Sequence, residues 1–98
     1  MQVVDHEPQA WFLFKEGVAL ILDVNCNHGA VGYSVMIQLS AEESSEYARE
    51  GHTYLKRLAE AVQDAGPGRG YQLRDVTAVY SKASPAALRE WRASQQLN

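Results

Sequence analysis

The side chains able to do chemistry are most concentrated in Asp23-Val24-Asn25-Cys26-Asn27-His28-Gly29, which holds a carboxylate, the chain's one cysteine and one of its three histidines. Asp23, Asn25 and Asn27 have the one-three-five spacing that opens a calcium loop, where alternating oxygens converge on one cation. The rest of that pattern is missing: His28 stands where glycine makes the sharp turn, and Ser34 where a bidentate glutamate closes the loop. Cys26 and His28 supply two ligands where a structural zinc site needs four, and His6 and His52 are remote in sequence. As a nucleophile, Cys26 would need exposure and a nearby cation to lower its pKa. Its alternation with Leu20, Leu22 and Val24 points it inward instead, as a buried, inert thiol. No metal, no cofactor and no catalytic residue is expected. Asp23, Asn25, Cys26 and His28, with Tyr33 nearby, remain as a candidate ligand tip.

Two further groups could engage a partner. Glu42, Glu43, Glu46 and Glu50 form a run at about one-turn spacing. It reads either as a solvated acidic helix face or as the contact for a basic protein. Arg69, Arg74, Lys82, Arg89 and Arg92 are interleaved with Tyr71, Tyr80 and Trp91, the combination by which single-stranded nucleic acid is held through phosphates and stacked bases. A net charge of −3 argues against that use. Gly66-Pro67-Gly68-Arg69-Gly70 lacks the Gly-Lys-Ser/Thr ending of a phosphate loop and follows a helix rather than preceding one.

The elements that must position these residues follow from periodicity. Gln9 to Lys15 is short and aromatic-rich, Lys15-Glu16-Gly17 reverses the chain, and Val18 to Val24 returns as a second strand. Across the polar insert, Val31, Tyr33, Val35, Ile37 and Leu39 keep period two, which predicts a third strand and an antiparallel meander. Ser40-Ala41-Glu42-Glu43 is a capping box opening a long helix, whose apolar stripe runs through Tyr47, Tyr54, Leu55, Leu58, Ala61, Val62 and Ala65. Gly51 interrupts that helix at a cost of about 1 kcal/mol relative to alanine. Gly66 and Pro67 end it. The broken alternation from Tyr71 to Tyr80 predicts a fourth strand, and Ser84-Pro85 starts a short C-terminal helix carrying Ala87, Leu88 and Trp91 on one side. The expected fold is a two-layer α+β domain of order βββαβα over residues 1–98, with 1–8 frayed and 66–70 a flexible loop.

At 98 residues with 46% hydrophobic and 21% charged side chains, the chain matches a single folded domain rather than a disordered segment. Its longest apolar run, Val18 to Leu22, falls far short of the roughly 20 residues a membrane span requires. MQVVDHEPQ has no secretory-signal pattern, and one cysteine cannot pair within the chain, so a reducing cytoplasm is the expected compartment. Residues 1–50 carry eight acidic and two basic side chains, and 51–98 carry four and seven, giving halves of −6 and +3. The leading expectation is a non-catalytic interaction module that binds a protein partner or itself, as a homodimer. The alternatives are a small-molecule binder or enzyme using the Asp23 to His28 tip, and a weak single-stranded nucleic acid binder using Arg69, Arg74, Arg89 and Arg92.

Overall fold

A computed structural model describes residues 1–28, 31–65, 71 and 74–96. Four strands, β1 (Gln2–Glu7), β2 (Trp11–Glu16), β3 (Ala19–His28) and β4 (Val31–Gln38), form one antiparallel sheet in sequence order. The helices α1 (Ala41–Glu50), α2 (His52–Ala65), α3 (Thr77–Tyr80) and α4 (Ala83–Gln96) follow. The fold is α+β, as the periodicity predicts.

The meander gains a strand at its front. Residues 1–8 are not frayed: Gln2–Glu7 pairs with β2 along its length. Its signal is hidden because the register slips between Val3 and Asp5, and this bulge at Val4 breaks the two-residue alternation. The β1–β2 reversal is a Pro8-Gln9 turn closed by Ala10 N–H donating to Glu7 C=O at 3.0 Å, with Gln9 at φ +64°. Proline at the second turn position and a left-handed residue at the third is the type II pattern.

β3 has an apolar layer on each side. Leu22, Val24 and Cys26 join Trp11, Leu13, Val35 and Ile37 under Leu55, Leu58, Ala59 and Val62 of α2. Ile21, Phe14 and Met36 pack on the opposite face with Ala87 of α4, flanked by Val76, Tyr80 and Leu88. The sheet is therefore sandwiched between helices rather than two-layered: Met36 is covered on the α4 side, while Gly32, Ser34 and Gln38 on the same face of β4 stay exposed. A full fourteen residues long, that helix is not short. It begins at Ala83, one residue before the expected cap Ser84, which is buried.

The long helix is two helices. The capping box at its start forms as expected, with Glu43 N–H donating to Ser40 Oγ at 3.2 Å and Ser40 N–H to Glu43 Oε1 at 2.8 Å. Gly51 takes φ +69°, ψ −145° and ends α1 with its N–H on Tyr47 C=O at 2.7 Å. The stripe divides accordingly: α1 buries nothing, and α2 supplies the packing residues. Among the described residues of 71–80 the expected fourth strand is reduced to one bridge between Asp75 and Ile37, followed by α3. Asp75 Oδ1 takes Thr77 N–H at 2.8 Å and Thr77 Oγ–H at 2.5 Å, so the side chain turns the backbone away from a ladder. The loop expected at 66–70 lies outside the described residues.

Gly51 occupies a region of backbone space that side chains other than glycine's enter at a cost of about 1 to 3 kcal/mol. Gly51→Ala is expected to lower the unfolding free energy by that amount in urea denaturation, even though an added Cβ would meet nothing within 4 Å. Gly17, at φ +59° in the β2–β3 turn, also faces open space, and Gly17→Asn is expected to cost less because asparagine tolerates the left-handed region. Equal stability of Gly51→Ala and the parent would show that the α1–α2 break is not set by this dihedral.

Candidate functional site

The Asp23 to His28 group does not converge. Strand alternation puts Cys26 on the α2 face, where it is buried, and Asp23 on the α4 face beside Phe12 and Met36. Burial pushes the Cys26 thiol above its ordinary range, and its Sγ–H donates weakly to Val24 C=O at 3.8 Å. Tyr33 is its cross-strand neighbour. A thiol held this way is a poor nucleophile. Asn25 is a structural clasp: its Nδ2 donates to Gln9 C=O at 3.4 Å, and its own C=O accepts from Gln63 Nε2 at 2.8 Å. His28 ends β3 opposite Val31, with its side chain outside the described residues.

Asp23 is the perturbed member. Burial, and then the charge on Asp75, push its carboxyl up to about 6, and its Oδ1 meets no donor among the described residues. Raised acids of this kind occur at working sites and in tightly packed cores alike.

The acidic run is assembled differently from four free carboxylates. Arg74 grips Glu43 with both guanidinium nitrogens, Nη1 to Oε2 at 3.0 Å and Nη2 to Oε1 at 2.5 Å, and also donates to Gln38 C=O at 2.9 Å. This bidentate grip holds Glu43 below the usual carboxylate range. Glu46 pairs with Arg49, and Glu50 with Arg57 at 2.6 Å. Glu42 makes no ion pair among the described residues. Around the start of α1, Ala41, Glu42, Glu43, Ser45 and Glu46 line an open cleft of about 460 Å³ together with Tyr54. The Arg57 guanidinium lies 5.9 Å from the Tyr54 ring centre, so that ring already sits beside one cation.

No family model, curated protein or solved structure matches the chain. What the site can do is read from its own geometry.

Of the basic residues, Arg74 is spent on Glu43, Arg89 and Arg92 are exposed on α4, and Arg69 lies outside the described residues. Trp91 is not a free stacking platform, since its ring meets His6 at 4.6 Å and Phe12 at 5.4 Å between centroids. Among the described residues no three histidine, cysteine or acidic side chains are grouped to hold a metal ion, and no helix is long and apolar enough to cross a membrane.

A further cluster, which no motif in the sequence marks, forms around His52. His52 Nδ1 lies 2.9 Å from Asp5 Oδ1 and its Nε2 lies 2.8 Å from Glu7 Oε2, while Tyr47 Oη donates to Asp5 Oδ2 at 3.2 Å. The hydrogen bond to Asp5, then that to Glu7, holds the imidazole above its ordinary pKa. Its one available signal was Asp5 and Glu7 two residues apart, hence on one face of a strand, which needs β1 to be recognised first.

Asp23 supplies a pH test. Its folded pKa of about 6 exceeds the unfolded value of 3.8, so the native state binds the extra proton and stability falls as pH rises between those values. Two pKa units correspond to about 3 kcal/mol, and partial solvent contact reduces this to the order of 1 kcal/mol. Asp23→Asn is expected to raise the unfolding free energy by that amount at pH 7, with the gain gone below about pH 4. Destabilisation by Asp23→Asn across the whole range would show that the charged carboxylate has a stabilising partner.

Proposed function

We propose that this protein is a small non-catalytic interaction module that takes a basic side chain of a protein partner into the acidic cleft at the start of α1. The observation that carries this reading is the cleft itself: Glu42, Glu43 and Glu46 line one opening together with Tyr54. A guanidinium there would find carboxylate acceptors and an aromatic face together, the two features that favour arginine over lysine. Preorganisation supports it. The capping box and Arg74 fix Glu43, so the cleft's wall need not be ordered on binding. Glu42, exposed and without an ion pair among the described residues, is the carboxylate most open to a new partner. Glu46 would exchange Arg49 for the incoming cation.

A second copy is the other occupant consistent with this chemistry. Arg89 and Arg92 are exposed on α4, and seating them in the cleft of a neighbour would make a head-to-tail contact. The unpaired buried thiol of Cys26 supports placing the module in the reducing cytoplasm.

Titration of the ¹⁵N-labelled protein with blocked tri-arginine peptide at low salt tests the reading. Amide shifts are expected at residues 41–46 and Tyr54, weaker with tri-lysine, and at least tenfold weaker binding in the Glu42→Lys, Glu46→Lys double variant. Shifts scattered over the surface, or unchanged affinity in that variant, would exclude the cleft as the binding site. Sedimentation without peptide separates the occupants: a concentration-dependent dimer lost in Arg89→Glu, Arg92→Glu favours self-pairing.

A further inference from the structure

We propose that His52 is a proton-operated latch between α2 and the edge strand β1, and that loss of its proton releases Glu7 while Asp5 stays bound. Each ring nitrogen faces a carboxylate oxygen, at 2.9 Å for Asp5 and 2.8 Å for Glu7. An ionised carboxylate only accepts hydrogen bonds, so both contacts together require two N–H donors, which only the imidazolium provides. A neutral imidazole keeps one N–H, and its other nitrogen then turns a lone pair toward an anionic oxygen. One of the two contacts must open.

The surroundings decide which. Asp5 is held from two further sides, by Tyr47 Oη at 3.2 Å and by the His6 backbone N–H at 2.8 Å, and its side chain is 20% exposed. Glu7 is 42% exposed and makes no other side-chain hydrogen bond among the described residues. The released Glu7 has a destination. It lines a cavity of about 110 Å³ with Trp11, Lys56, Ala59, Glu60 and Gln63, so the Lys56 ammonium, one turn along α2 from His52, can take it over.

The groups facing His52 are Asp5 and Glu7 from β1, Tyr47 of α1 acting through Asp5, and the uncharged Trp11 ring of β2 at 4.9 Å, with Lys56 one turn along its own helix. The anions prevail over burial, which by itself would lower the pKa, and the ring titrates above its ordinary value. A histidine raised on folding stabilises the native state fully below the unfolded pKa, and that stabilisation fades as pH rises through the folded one. The latch thus holds in mildly acidic solution and lets go on alkalinisation. His52 opens α2 directly after Gly51, so the change falls at the α1–α2 break. Leu55, Leu58, Ala59 and Val62 stay buried through it and keep α2 docked.

Histidine-selective ¹⁵N labelling of the full chain, followed from pH 5 to 9 by long-range ¹H–¹⁵N spectra, tests the latch. His52 is expected to titrate above 6.5, and its neutral form to be the Nδ1–H tautomer, the one that keeps Asp5. Glu7→Gln is expected to move the midpoint down toward 6.5 with the tautomer unchanged. A parent midpoint at or below 6.5, an Nε2–H tautomer or an even mixture would overturn the latch, whatever the variant does. So would an unchanged midpoint in a folded Glu7→Gln protein.

Discussion

The structure depends on the burial of β3 from both sides. Leu22, Val24 and Cys26 look toward α2, Ile21 looks toward α4, and each of these is essentially inaccessible to solvent. Fully burying one aliphatic side chain of this size contributes about 1.5 to 3 kcal/mol, against about 0 to 1 for an exposed ion pair. The sheet interior therefore fixes the fold, and the polar contacts decide only where the outer elements sit upon it. The same constraint accounts for Asp23. Its position in an inner strand between Phe12 and Met36 leaves it little solvent, so the carboxylate is carried at a cost.

The charge division between the halves of the chain has a use inside the molecule. Glu43 to Arg74, Glu50 to Arg57, and Asp5 and Glu7 to His52 each join a residue from the first fifty to one from the remainder. An acidic front and a basic back are brought into register across the fold, and their mutual attraction helps seat the outer elements on the sheet. Glu42 at the acidic cleft, and Arg89 and Arg92 on α4, are among the exposed charges outside these pairs. In the proposed function, charges of this kind would select a partner by sign more than strengthen its binding.

Local chemistry was readable where it was decided locally. Ser40 and Glu43 satisfy each other's backbone within one turn, and Gly17 reverses the chain by its own dihedral, so both could be identified from residue type and spacing. The α4 stripe of Ala87, Leu88 and Trp91 was equally plain. Elements decided by distant contacts were not. β1 was obscured by the Val4 bulge, and Tyr71 to Tyr80 alternates like a strand although Asp75 caps its own turn. The candidate sites divide likewise. The clustering of Glu42, Glu43 and Glu46 at a helix start follows from their spacing, but the arginine that grips Glu43 lies 31 residues away. Asp23 and Cys26 are near in sequence and on opposite faces, which period two itself implies for residues three apart.

Native-state hydrogen exchange tests the dominance of the doubly covered strand most directly. The amides of Leu13, Phe14, Ile21, Leu22 and Val24 are expected to exchange only through global unfolding, with one common free energy, while those of α1 exchange far faster. Amides of β3 exchanging through a smaller opening, with α1 or α4 equally or better protected, would contradict that dominance and move the stabilising centre away from the sheet interior.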